Sequence, residues 1–262
     1  MSISRLAILA ILTTAGLYGD DWSKSFTVAG VPDLRIETND GSVTVRTAAD
    51  GRVSARVFTT GWKIGPGEVE VREFQNGGRV ELVVRCPRMR FGFSSISRSV
   101  RVELDVPRQT NADIHTGDGA IHIRGVSGEL RLRTGDGQID ADALDGSLKA
   151  DTGDGHVRVR GRLDNLTIHT GDGGIEADVL PGSKMAMGWR IETGDGGVTV
   201  RLPRDFGAEL DAHTGDGHIS VDFPVTASFR ERRDNEVRGR INGGGSPFSI
   251  RTHDGSIHVK PL

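Results

Sequence analysis

Seven aspartates recur in one local setting along this chain: Asp118, Asp136, Asp154, Asp172, Asp195, Asp216 and Asp254. The first six are the acidic residue of the tetrapeptide TGDG, at 116–119, 134–137, 152–155, 170–173, 193–196 and 214–217. The seventh belongs to THDG at 252–255, and a further near-copy, TNDG, stands at 38–41. Carboxylates repeated beside glycine are ligands for a hard cation, and Gly- and Asp-rich turns of stacked coils bind calcium between turns. TGDG offers fewer ligands per turn than that nonapeptide motif, and the residue after it varies among Ala, Gln, His, Gly and Ser. Stacked about 5 Å apart, neighbouring unit charges repel by roughly 0.8 kcal/mol in water and roughly 3 kcal/mol at an effective dielectric of 20. Either a calcium ladder offsets this, or each Asp caps the N–H groups of its own turn and faces water, with the threonines forming an inward or edge hydroxyl ladder. Hydration and local bonds suffice for exposed carboxylates, so the expectation is the capped turn, with no cofactor and no catalytic residue.

The histidines have a similar standing. His115, His169 and His213 precede their Thr, and His156 and His218 follow the tetrapeptide. On alternate coils they would lie about 10 Å apart, too far to share a metal held at about 2.1 Å per bond. They are read as solvated strand residues.

The elements that position these groups follow from the period. The first four TGDG copies are spaced by eighteen residues, a repeat length typical of solenoids. Aligned on Thr, apolar residues fall two and four positions before it (Ile114 and Ala112, Leu132 and Leu130, Ile168 and Leu166) and five and seven after it (Ile121 and Ile123, Val157 and Val159). Polar residues lie between, so each tetrapeptide joins two period-2 strands with one inward face. Its glycines are expected to supply positive φ for a sharp turn.

Eight residues after each Thr the chain reads Arg124, Asp142, Arg160, Asp178, Arg201, Asp222 and Lys260. The sign alternates at every step. If repeats stack in chain order, each charge has opposite charges above and below it, worth roughly 0.2–1 kcal/mol per pair. The pattern therefore predicts an all-β, single-stranded parallel β-helix with coils of about 18–21 residues spaced about 4.8 Å apart, right-handed by the crossover preference.

Composition fits this architecture. Glycine is 37 of 262 residues and aromatics are only 5%, as a narrow core of small aliphatic side chains requires. A net charge of −3 and a pI near 6.2 argue against nucleic acid as a partner. At the N-terminus, Arg5, the apolar run LAILAIL and the segment TTAG read as a signal peptide over residues 1–19, cleaved between Ala15 and Gly19. The apolar run is shorter than the ~20 residues that span a bilayer, no other segment is apolar enough to anchor the chain, and no lipid-attachment cysteine follows it. Cys86, the single cysteine, ends an apolar strand and is read as a buried, inert thiol. Residues 20–262 form one domain, with an irregular insertion or cap at 61–110, regular coils at 111–223, a charged loop or hairpin at 224–247 and a final coil at 248–262.

The segment ELDVPRQTNADIHTGDGAIHIRGVSGELRLRTGDG, and later LPRDFGAELDAHTGDGHISVDFP with the ending INGGGSPFSIRTHDGSIHVKPL, resembles the "putative adhesin" domain of unknown function (DUF4097 type) of bacterial envelope proteins. The resemblance covers most of residues 30–262. It implies a β-helix outside the cytoplasm and offers no catalytic residues. The expectation is an exported, non-enzymatic protein, periplasmic, cell-surface or secreted, that presents a rigid charge-patterned face to an envelope or surface macromolecule, protein or polysaccharide. One alternative is a periplasmic structural protein that associates end to end through its open edges. The other is a polysaccharide lyase or hydrolase, which needs unequal groups with pKa values pushed apart at one place. A ladder of equivalent turns does not supply that asymmetry.

Overall fold

In the computed structural model, residues 19–49, 51–87, 98–227 and 235–262 are described. All but the last residue of the expected signal peptide, and parts of the 61–110 and 224–247 segments, lie outside them. The described strands are β1 (Asp21–Phe26), β2 (Asp33–Thr38), β3 (Ser42–Thr47), β4 (Val53–Thr60), β5 (Glu70–Asn76), β6 (Arg79–Arg85) and β7 (Ser99–Val106). Next come β8 (Asn111–Thr116), β9 (Ile121–Arg124), β10 (Ser127–Arg133), β11 (Ile139–Thr152), β12 (Val157–Thr170), β13 (Ile175–Val179), β14 (Trp189–Thr193) and β15 (Val198–Leu202). The chain closes with β16 (Ala208–Thr214), β17 (Ile219–Val221), β18 (Val225–Ala227), β19 (Glu236–Ile241), β20 (Pro247–Thr252) and β21 (Ile257–Pro261).

A coil consists of one strand leading into a TGDG-type corner and one strand leaving it. Their inner faces meet, so that Ala112, Ile114, Ile121 and Ile123 in one coil and their equivalents in the next are all buried. Successive coils pair in parallel and in register: Leu130 opposes Leu148, and Ile139 opposes Val157, partners eighteen residues apart. Period-2 alternation makes that register unambiguous, because a one-residue slip would turn the whole apolar set outward.

The order of the coils departs from the expected one at both ends. Strands β6 and β7 form a coil parallel to β2 and β3, which in turn pair with β8 and β9. The first coil of the chain is therefore second in the stack. At the other end β20 lies between β14 and β16, and β21 between β15 and β17. The last coil of the chain, carrying THDG, is thus inserted beneath the coil of residues 208–221. Both extreme coils come from inside the sequence, and the coils nearest the two chain ends are buried within the stack.

The fold is also mixed, not purely parallel. Antiparallel strands cover the stack at one end, β5 on β6 and β4 on β7 with β1 outside β4, and at the other end β19 covers β16 and β18 covers β19. Exposed backbone of a terminal coil templates further pairing, and these antiparallel strands satisfy it. Trp189 stacks on Phe206 at 5.2 Å and meets Phe248 edge-on at 5.8 Å. This aromatic cluster fills the core where the inserted coil passes between its neighbours.

Candidate functional site

At the TGDG corner the threonine, not the aspartate, caps the turn. Thr134, Thr152 and Thr170 are buried, sharing strand parity with the apolar residues before them. Thr152 Oγ1 accepts a hydrogen bond from Gly155 N at 3.3 Å and donates to Gly137 O, in the neighbouring coil, at 3.0 Å. The same donation runs from Thr116 to Gly41, Thr134 to Gly119, Thr170 to Gly155, Thr193 to Gly173, Thr252 to Gly196 and Thr214 to Gly255. This hydroxyl chain retraces the stack order, inserted coil included.

The tetrapeptide glycines are not needed for left-handed backbone. Positive φ falls at the opposite corner, at Gly125 (78°), Gly128 (151°) and Gly146 (137°). What the second TGDG glycine supplies is close approach: a Cβ on Gly119, Gly137, Gly155, Gly173 or Gly255 would lie 1.9–2.1 Å from the carbonyl oxygen of the coil below. The first glycine has somewhat more room at Gly135, Gly153, Gly171, Gly194 and Gly215, where a Cβ would meet backbone oxygen at 2.5–2.7 Å, but not at Gly117, where Asn39 O lies at 2.0 Å; Asn39 and His253 replace it in the two near-copies. Asn39 uses its side chain to bind the cap, donating to Cys86 O at 2.9 Å and accepting from Cys86 N at 2.7 Å. Cys86 itself is only half-buried; burial, and then the charge of Asp40, raise its thiol pKa.

The aspartates of the corner, Asp118, Asp136, Asp154, Asp172, Asp195, Asp216 and Asp254, are all exposed. Only Asp254 has a described ion-pair partner, His253 at 3.7 Å. One acid per coil makes a single file, and among the described residues no group of three or more His, Cys, Asp or Glu side chains is placed to hold a metal ion. Asp136→Asn should therefore change stability by no more than about 0.5 kcal/mol. Its sign should be stabilising at low salt and fade as salt screens the file, with thermal denaturation, with and without calcium, as the check. A calcium-dependent rise in Tm that the substitution abolishes would restore the metal reading.

The outward residues of the strands after the corner form the other candidate. Here the residues of the expected charge ladder lie on stacked coils, in a column whose spatial order differs from chain order at both ends. Down the stack it runs Asp105, Arg46, Arg124, Asp142, Arg160, Asp178, Arg201, Lys260 and Asp222. Opposite charges meet through the middle: Arg124 Nε lies 3.2 Å from Asp142, Arg160 3.7 Å from the same carboxylate, and Arg201 2.5 Å from Asp178. The Asp178 contact raises the Arg201 pKa above its ordinary value. At the two displaced coils, however, like charges become neighbours: Arg46 opposes Arg124, and Arg201 opposes Lys260. Swapping the order of two coils in a strictly alternating series necessarily creates one such doublet at each end. Arg46 and Asp105 escaped the sequence reading, although TNDG places Arg46 eight residues after Thr38; Asp105 has no tetrapeptide before it to mark its phase.

A second column, two residues closer to the corner, places His122 3.8 Å from Asp140 and Arg158 between Asp140 (3.9 Å) and Glu176 (3.6 Å). The two columns line a groove of about 540 Å3 across five coils. His156 also reaches Glu176, at 3.6 Å. On the opposite sheet His115 stands between Glu37 and Arg133, His169 between Asp151 and Glu192, and His213 beside Arg251. His218 is exposed beside the corner of the outermost coil. Near that end Arg251 and Arg238 both bind Asp211, at 2.5 and 3.1 Å, tying the inserted coil, the outermost coil and the capping strand together. The hydrogen bond from Arg251 holds the Asp211 carboxyl below the usual range.

Stacked coils, an inner hydroxyl chain and an ion-paired outer lattice define a solenoid-like all-β repeat protein whose distinctive surface is ionic. The chain belongs to the Toastrack DUF4097 family, whose model matches residues 33–186 and 162–260. No curated protein matches it. Among solved structures it is similar to a "putative cell adhesion protein" from Clostridium sporogenes, 15% identical, covering 92% of this chain and 100% of that one with a TM-score of 0.43. A "putative adhesin" from Bacteroides fragilis is 10% identical, with 92% and 97% covered and a TM-score of 0.44. A "putative lipid binding protein" from Parabacteroides distasonis is 11% identical, with 94% and 98% covered and a TM-score of 0.39.

Proposed function

We propose that the protein is an exported, non-enzymatic envelope component that binds a surface macromolecule, protein or polysaccharide, through the outward face of β3, β9, β11, β12 and β13. The observation that carries this reading is the groove across five coils, whose charged walls are held in register by the parallel backbone beneath them. A surface pre-organised in this way loses little side-chain freedom on binding. Its carboxylates share one environment, each beside an arginine, which supports recognition over catalysis by unequal acids and bases. End-to-end assembly is disfavoured by the antiparallel strands over β6, β7 and β16; β17, with three residues, is a short edge of the kind that resists pairing.

The test is protease accessibility of the mature protein on intact cells against lysed cells. Digestion on intact cells is expected. Protection until lysis, with the purified protein shown to be cleavable, would replace this reading with a structural role inside the envelope.

A further inference from the structure

The geometry points to an oxyanion-binding site at the Arg46–Arg124 doublet, suited to the carboxylate or sulfate groups of an anionic polysaccharide. It rests on the preceding reading for the surface involved and adds the chemistry of the ligand. Arg46 and Arg124 oppose each other on adjacent parallel strands, about 4.8 Å apart at the backbone. The acids on either side are already engaged: Asp105 accepts from Arg56 at 2.8 Å, and Asp142 is shared by Arg124 and Arg160. Arg46 is exposed and makes no ion pair among the described residues, and the Arg124 side chain is 76% exposed. The row therefore carries a surplus cation beside a second one.

Alone, such a doublet is repulsive. An oxyanion with two or more acceptor oxygens can bridge both guanidiniums and turn repulsion into charge-assisted hydrogen bonding. Beside the doublet on the same two strands stand Thr44 and His122, also opposed, so a hydroxyl and an imidazole complete one end of the groove. Further along lie Asp140 and Asp142, acceptors suited to sugar hydroxyls. A glycan brings hydroxyl donors to those carboxylates as well as an oxyanion to the doublet, which favours it over an anionic lipid surface. The large exposed apolar residues among those described, Val31, Phe74, Met187 and Leu262, are not among the groove residues.

Calorimetric titration of the purified mature protein with a short oligogalacturonate and a short sulfated dextran fragment, at low and high salt, tests the assignment. Binding is expected at low salt and should weaken as salt rises. Arg46→Gln should reduce affinity by about tenfold or more while leaving Tm unchanged or raised, since it relieves the doublet. Lys260→Gln, at the other doublet, should keep the affinity. No binding of either oligosaccharide, equal binding by Arg46→Gln, or binding of inorganic sulfate or anionic vesicles alone would overturn the site. None of these outcomes depends on where the protein resides, so failure here is distinguishable from failure of the protease test.

Discussion

Replacing Gly155 by alanine is expected to destabilise the protein by about 3 kcal/mol or more, at the upper end of what overpacking costs. For a chain of this size that is a fall in Tm of roughly 6–12 °C. The new Cβ would sit 1.9 Å from Gly137 O and 2.7 Å from Thr152 Oγ1. The obstructing oxygen is backbone in a central coil, so relief requires the coils to part, which stretches the Thr152 bond to that same carbonyl. Gly153→Ala is the informative companion, because its Cβ would meet Gly135 O at 2.6 Å and other coils carry Asn39 and His253 at that place. Its cost should be clearly smaller. Thermal or urea denaturation of both variants decides the matter, and equal costs would mean that the spacing of the coils is not what the second glycine protects.

Deleting residues 247–262 should do more than remove one coil. In a solenoid stacked in chain order, loss of the last repeat leaves the rest nearly intact, since each repeat contacts only its neighbours. Here the last coil separates two others, and its removal strips β14 and β15 on one side and β16 and β17 on the other. It also removes Phe248, Ile250, Ile257 and Val259, all fully buried, each worth about 1.5–3 kcal/mol. That loss is comparable to the whole stability of an ordinary domain. Limited proteolysis read by mass spectrometry should show protection lost from about Trp189 through Ile241, with the coils of residues 111–179 retained. Trp189, deprived of Phe248, should emit at longer wavelength. Full protection through Val221 would mean that the outermost coil restacks directly on the 189–202 coil, and would overturn the expectation.

The site was legible in unequal parts. Threonine's inward role was present in the sequence, because Thr116 has the parity of Ile114 and Ala112; aspartate's carboxylate drew the capping role instead, although it stands two residues further on, in the exposed turn. The glycines were assigned to turn formation because close approach of backbones is a property of two coils and leaves no mark within one. From Arg124 to Arg201 the charges of the expected ladder lie on successive coils, with ion pairs at Arg124–Asp142, Arg160–Asp142 and Arg201–Asp178. Its ends differ, since Arg46, Asp105 and the placement of Lys260 depend on which coils are neighbours.

By itself the sequence determined the repeat, the inward and outward faces, the alternating charges and the family. These are local or periodic properties, carried by every coil in turn. The order of the coils was decided only in the tertiary structure. All the coils present nearly the same inner face and most the same threonine corner, so periodicity cannot say which lies against which. That choice belongs to non-local pairings, with β5, β4 and β19 closing the ends of the stack and the coils nearest the chain termini pressed inside it. The cation doublets are its consequence: charges that alternate along the chain meet their own sign once two coils exchange places.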